Sequence, residues 1–365
     1  NGIITSARNA TDKWEQGAAN EQDELMQIAN FINSNGNSNS NNNGEGENTE
    51  KSEVEKARDS GNFFEKDTTI KDDLENEVRV PEGFKIAEDS ATKVEDGVVI
   101  EDDIGNQFVW IPAKTGEGAT IHTTLGDKTI VYQRTDWNSQ VGDYSDYEDY
   151  TGMLNIMSVN TNGGYYIGRF EAGDKVSTEA KKMRVEGDSQ TNEVSIKKGQ
   201  TPYNYIGRDK CSNIAYEMAE KRGYTGTTRL ISSYAWDTAI NFIQIKIPDY
   251  GINSPQGNYK NITFNYASVG ENEKNQTKEY GESKLVPTGQ TISVCNIYDM
   301  SGNCAEATTE EYYNPGAPVQ VWSYRGGDYN YNSLCSGNRI TFGSNIDDIS
   351  SSNSFRVVLF CSNES

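Results

Sequence analysis

The stretch whose reading decides the fold is RGGDYNYNSLCSGNRITFGSNIDDISSSNSFRVVLF, residues 325–360. Its two ends have the character of ordered structure. Arg325-Gly326-Gly327 reads as a tight turn, because paired glycines reach backbone conformations that side chains disfavour. Phe355-Arg356-Val357-Val358-Leu359-Phe360 reads as a β-strand, rich in the branched and aromatic residues that suit a pleated surface. Between them lie small polar residues, interrupted by isolated Tyr329, Tyr331, Leu334, Ile340, Phe342 and Ile346.

Composition bounds what such a stretch can serve. The chain has 365 residues, enough for a substantial core, but only 34% are hydrophobic, so part of it is expected to lie outside any core. Net charge is 33 − 55 = −22, which argues against nucleic acid or an anionic membrane surface as partner. His122 is the sole histidine, so relays or metal sites built on several histidines are excluded. The five cysteines, Cys211, Cys295, Cys304, Cys335 and Cys361, form no C-x-x-C pair, which disfavours a zinc or thioredoxin-like site. Cys295 and Cys304 flank one turn and are candidates for a disulfide. No run of eighteen apolar residues is present to span a bilayer.

Working outward, residues 3–32 read as one amphipathic helix. Ile4, Ala7, Thr11, Trp14, Ala18, Leu25, Ile28 and Ile32 recur at steps of three, four or seven, with Asp12, Lys13, Glu15, Glu21 and Asp23 opposite. The segment NGIITSARNATDKWEQGAANEQDELMQIANFI resembles the region following the membrane-spanning segment of Gram-positive type IV pilin-like proteins. That resemblance implies a membrane-anchored protein of the cell surface or pilus, contacting pilin subunits through this helix. The chain opens on Asn1-Gly2-Ile3-Ile4, with no initiator Met or signal peptide, as if an upstream segment had been removed. Residues 33–48, NSNGNSNSNNNGEGEN, carry nothing apolar and read as a flexible linker. The charged residues 49–78, with the apolar pair Phe63-Phe64, read as a short helix or as further spacer. The expected organisation is a helix at 1–32, a low-complexity and charged linker at 33–78, and a folded head at 79–365.

From Val80 the pattern becomes α+β. FKIAEDSATKVEDGVVIEDDIGNQFVWIPA (84–113) alternates strand-like runs with Asp-Gly and Gly-Asn turns. Further strands are expected at Thr129–Gln133, Gly164–Glu171, Ile262–Tyr266 and Phe355–Phe360, and helices at Asn213–Arg222 and Ser233–Ile243. Four segments then occur in order: GGYYIGRFEAG (163–173), GTTRLISSYAWDTAINFI (226–243), NIYDMSGNCAEATTE (296–310), and SYRGGDY (323–329) with NSFRVVLF (353–360). Together they resemble the formylglycine-generating-enzyme branch of the C-type lectin fold, over about residues 80–361. The best-known members oxidise a sulfatase cysteine with two active-site cysteines in the segment after R-G-G-S-x. Here that segment offers Cys335 alone, so no catalysis is expected and no catalytic residue is assigned. The family's turn after N-x-x-D-M lies near a calcium site. Asn303 and Glu306 are the ligand candidates for a structural calcium; otherwise no cofactor is expected.

The stretch 325–360 also resembles the variable proteins of diversity-generating retroelements. These are C-type lectin domains with R-G-G-x-(Y/W) and (G/S)-F-R-V near the C-terminus, and the residues between come from adenine-directed mutagenesis. Randomising the adenines of AAC codons gives NNC, which never encodes Glu, Lys, Gln, Met or Trp. Those types make up about one residue in five of the chain, yet residues 323–363 contain none, where roughly eight are expected. Asn330, Asn332, Asn338, Asn345 and Asn353 read as unmutated template positions. The resemblance implies a surface-displayed, adhesin-like protein binding a protein or glycan ligand. Its contacts would be Asp328, Tyr329, Tyr331, Ser333, Leu334, Cys335, Ser336, Ile340, Phe342, Ser344, Ile346, Asp347 and Asp348. Arg325, Gly326, Gly327, Phe355 and Arg356 would be scaffold. The mix of Tyr with Ser, Gly and Asn suits recognition, joining rigid contact area to adaptable hydrogen bonding. Two other readings use the same features: a formylglycine-generating-type oxidase working through Cys335, and a structural minor pilin with the head as a cap.

Overall fold

Strand pairing sorts the chain into two main sheets, and residues 325–360 join them. The structure is a computed structural model that describes residues 50–135, 137, 144–145, 150–313, 320–332, 336–341 and 349–363. The expected helix at 3–32 and the linker at 33–48 lie outside the described residues.

The protein is α+β. Its described residues begin with a helix, α1 (Glu53–Ser60), where the Ser52 hydroxyl accepts the Glu55 N–H at 3.1 Å and Gly61 closes the end in the left-handed conformation. An antiparallel hairpin follows, β1 (Thr68–Lys71) with β2 (Glu77–Val80). Val54, Ile70, Val78 and Val80 are all buried in the main core. The expectation of a linker through residue 78 is therefore corrected. Apart from the buried Asp72, the charged residues of 53–78 are exposed or half-buried, while a few well-spaced valines and an isoleucine supply enough apolar surface to dock the segment.

The first main sheet is wholly antiparallel. Its order is β7 (Thr227–Leu230), β14 (Val357–Phe360), β6 (Gly164–Gly168), β5 (Gln107–Pro112), β4 (Val99–Glu101) and β3 (Lys85–Ile86). Every residue of β6 and β14 is buried, so these central strands read as continuous apolar runs. The second sheet runs β12 (Ile340–Thr341), β11 (Gln320–Arg325), β10 (Ala305–Tyr313) and β13 (Asn353–Phe355), with Tyr144–Ser145 also paired to β10. The β10–β13 pair is parallel. The expected single strand 355–360 is thus two strands in two sheets, broken at Arg356, whose side chain is drawn into the junction.

Three helices matter for the site. The helix α2 (Tyr150–Asn162) leads into β6. The helix α3 (Arg208–Arg222) starts five residues before the expected Asn213, because its first turn is polar and carries little apolar signal. The helix α4 (Ser233–Ile243) matches its expected bounds, with the Ser232 hydroxyl accepting the Ala235 N–H at 3.1 Å. A further hairpin, β8 (Phe264–Tyr266) with β9 (Gln276–Lys278), stands on the connection between α4 and β10. No helix among the described residues is long and apolar enough to cross a membrane.

Candidate functional site

At the start of the stretch, Arg325 ends β11 and its side chain is fully buried. It donates through Nη2 to Asp237 on α4, through Nη1 to the Ser233 hydroxyl at 3.1 Å, and to the Gly337 carbonyl at 3.0 Å. Asp237 also receives Arg339 Nη2 at 2.7 Å and the Trp137 indole at 2.9 Å. Arg339 in turn reaches Glu310 at 2.8 Å, and Glu310 accepts from Arg134 at 2.5 Å and Ser233 at 2.6 Å. Burial alone would push the Glu310 carboxyl up, but the charges of Arg339, Arg325 and Arg134 prevail and hold it below the usual range. Two buried carboxylates and three arginines therefore tie β11, α4 and β10 to the inside of the stretch.

Gly326 and Gly327 both have positive φ, at 89° and 70°. They turn the chain away from the sheet in a conformation that a side chain would strain.

At the far end, Arg356 sits between the two sheets. Its guanidinium grips both oxygens of Glu306, at 2.8 and 2.5 Å, and donates to the carbonyls of Gly168 at 2.7 Å and Tyr298 at 2.9 Å. Phe355 is fully buried and packs against Tyr203. Beneath Arg356 lies a set of carboxylates richer in acids than in cations. Burial pushes Asp299 up to about 6, and Glu306 up to about 7 against the pull of Arg356. Burial, then the charges of Asp299 and Glu306, push Glu171 well up as well. One oxygen of Glu171 accepts from the Asn303 amide, and the other has no hydrogen-bond partner.

The two calcium candidates do not fit a cation as placed. Both oxygens of Glu306 are on Arg356, which already supplies positive charge there. The Asn303 side-chain oxygen Oδ1 accepts from Asn258 Nδ2 at 2.8 Å and from the Val286 N–H at 3.2 Å. Among the described residues, no group of three or more His, Cys, Asp or Glu is placed to hold a metal ion.

Of the expected contact residues, Ser333, Leu334, Cys335, Phe342, Ser344, Ile346, Asp347 and Asp348 lie outside the described residues. The others divide. Tyr331 is 48% exposed, with exposed Asn330 and Asn332 on either side. Tyr329 is half-buried, its hydroxyl 3.1 Å from Ser351 Oγ, and Ile340 is half-buried in β12 opposite Tyr324. Asp328 and Ser336 are instead interior, which corrects their placement among surface contacts. One oxygen of Asp328 accepts the Asn330 N–H at 2.8 Å, an Asx turn that stiffens the loop. Ser336 meets Ser254 Oγ at 2.9 Å, and its carbonyl accepts the Trp236 indole at 2.9 Å.

Two residues with roles here were missed in the sequence. Arg339 reads as one polar loop residue but is a scaffold charge; its signal was Asp237, an acid within the otherwise largely apolar helix 233–243 that needs a cationic partner. Ile349, 48% exposed, is an apolar surface residue in the second half of the stretch. The four described cysteines, Cys211, Cys295, Cys304 and Cys361, are free and buried, so Cys295 and Cys304 are not bonded. Burial pushes the Cys304 thiol well up, with Glu171 adding to the shift, which keeps it an unreactive thiol. His122 follows the Ala119–Ile121 strand, exposed, with its ring 2.9 Å from Asp127.

No protein-family profile matches the chain, and no curated protein does. Among solved structures it is similar to one described as the crystal structure of CarF, at 14% identity over 55% of this chain and 87% of that chain, with a TM-score of 0.34. A likeness of that degree carries no argument about fold or function.

Proposed function

We propose that this chain is a surface-displayed, adhesin-like ligand-binding protein of the diversity-generating-retroelement variable type, with a C-type lectin-fold head of the formylglycine-generating-enzyme subtype. Its mechanism is display: varied side chains on a rigid scaffold, without catalysis. Residues 1–32 would join it to a pilus or membrane anchor on a Gram-positive cell, and residues 33–48 would give it reach. The ligand would be a protein or glycan.

The observation that carries this reading is a contrast within one stretch. Arg325 and Arg356, at its two ends, are fully buried and multiply hydrogen-bonded, whereas Asn330, Tyr331, Asn332 and Ile349 between them are exposed. Across the same region Glu, Lys, Gln, Met and Trp are absent from residues 323–363. Buried ends with a tyrosine-bearing, compositionally restricted middle are what a diversified paratope on a fixed frame requires.

Genome sequence beside the coding region tests it. A near-copy of the codons for residues 325–356, differing at adenines and next to a reverse transcriptase, is expected. No such copy, together with relatives carrying the same side chains at Tyr329, Tyr331 and Ile349, would overturn the proposal.

A further inference from the structure

Outside the stretch itself, the segment between Gln256 and Lys284 is built against it. Tyr259 is fully buried, and its hydroxyl donates to the Gly326 carbonyl at 2.8 Å. Asn258 donates to the Lys284 carbonyl at 2.8 Å, which closes the segment on itself. Lys278, at the end of β9, has its ammonium buried, where it donates to the carbonyls of Tyr259 and Ile262 at 2.7 Å each. A lysine spent on backbone carbonyls costs desolvation, and what it secures is the conformation of residues 259–262.

That fixed loop touches the candidate contact surface directly. The Lys260 N–H donates to the Tyr331 carbonyl at 2.9 Å, and the Lys260 carbonyl accepts the Gly281 N–H at 2.7 Å. Tyr331 and Gly281 therefore flank Lys260, two hydrogen-bonded backbone steps of about 5 Å each apart. Beside Gly281 stands Tyr280, 69% exposed, compared with 48% for Tyr331. Tyr280 lies in the turn Glu279–Glu282, which the Glu282 carboxylate closes by accepting the Glu279 N–H at 3.1 Å. An exposed tyrosine thus stands, in sequence, between the two glutamates of a hydrogen-bonded turn, the second of which also pairs with Lys284 at 3.5 Å, two backbone steps from the exposed tyrosine of the varied stretch.

We infer that Tyr280, with Glu279 and Glu282, forms an invariant half of the binding surface, and that its partner is a protein segment presenting Lys or Arg side chains. The inference rests on the proposed function and adds a constant subsite to it. A tyrosine face attracts a cation, and flanking carboxylates pair with it as it leaves water. Aromatic side chains on a rigid support are the usual centres of binding energy. The chain's charge of −22 draws a basic partner and repels an acidic one. Tyr331 would supply the contact that differs from variant to variant, and Tyr280 the contact that does not.

A random-peptide display library selected on the full chain supplies the test, with binding of the enriched peptides then measured on variants. Peptides rich in Lys or Arg are expected, losing about tenfold in affinity on Tyr280→Ala and on Tyr331→Ala. Binding should weaken with salt, less so in the Glu279→Gln, Glu282→Gln double variant, and should be unaffected by Tyr216→Ala, a change at an exposed tyrosine on α3. Loss on Tyr331→Ala with no change on Tyr280→Ala overturns the constant subsite and leaves the proposed function standing. Loss on neither overturns both. Enriched peptides without basic residues, or Tyr280-dependent binding only on a glycan array, overturn the assigned partner chemistry.

Discussion

Arg325 and Arg339 donate to opposite oxygens of one carboxylate, Asp237, at the heart of the fold. The first arginine ends β11 and the second lies fourteen residues on, inside the stretch that also carries the exposed Asn330, Tyr331, Asn332 and Ile349. One acid on α4 thereby closes the loop from within, and its Trp137 contact ties in a third segment.

Removing that acid leaves two guanidinium groups buried with half their compensation gone. Asp237→Ala is expected to cost about 3–5 kcal/mol. Arg339→Ala should be of similar size, since Glu310 and Asp237 would both lose a partner. Urea unfolding measures both. A change under about 1 kcal/mol in either would contradict the scaffold role.

Substitution tolerance should follow burial, residue by residue, within the stretch. Tyr331→Ala and Ile349→Ser are expected to change stability by no more than about 0.5 kcal/mol. Gly337→Ala is expected to cost about 1–3 kcal/mol, because an added Cβ would meet the Gly251 carbonyl and the Trp137 side chain at 2.6 Å. Ser336 varied to Tyr or Phe should fail to fold. A library scored for folded yield checks all of these together, and free tolerance at Ser336 or Arg339 would refute the division.

Residues 53–80 should be indispensable to the folded unit. A chain beginning at Glu82 loses Val54, Ile70, Val78 and Val80 from the core, on the order of 6 kcal/mol of burial at about 1.5 kcal/mol each. That is comparable to the whole stability of many domains. Thermal unfolding of chains starting at Glu50 and at Glu82 decides it, with a cooperative transition expected for the first and not for the second.

Stability should fall as pH rises from about 5 to 8. Asp299 and Glu306 are pushed up to about 6 and about 7, so the folded protein holds protons there that the unfolded chain has released. Their contribution is complete below the unfolded carboxyl range and is lost as pH rises through the folded values. Glu310, held low, works in the opposite sense: its contribution is present above the unfolded range and is lost as pH falls through its folded value. Asp299→Asn should flatten the limb between pH 5 and 8 by about 1–1.5 kcal/mol. Urea midpoints at constant ionic strength, rising steadily from pH 5 to 8 in the unaltered protein, would contradict this account.

One local motif occurs twice in the sequence, once among the expected turns of 84–113 and once inside the charged segment 49–78. Asp72 and Asp102 each accept the backbone N–H groups of the residues two and four further on, and each holds the amide of an asparagine, Asn76 or Asn106. The shared spelling D-D-x-x-N in 72–76 and 102–106 marks the same Asx-type turn twice. The first occurrence, with its flanking valines, signalled that order begins well before residue 79.

By itself the sequence determined what is local: the bounds of the α4 helix, the turn at Gly326-Gly327, the apolar runs of β6 and β14, and the stretch's missing residue types. These follow from neighbouring residues acting on one another through propensity, capping and periodicity. Only the tertiary structure decided which polar residues of the stretch are scaffold. Arg339 is inside because Asp237, 102 residues earlier, and Glu310, 29 residues earlier, meet there. Arg356 splits one apparent strand into two because Glu306, 50 residues before it, waits between the sheets. Burying a charge depends on a partner brought from far along the chain, and no local pattern records where that partner will be.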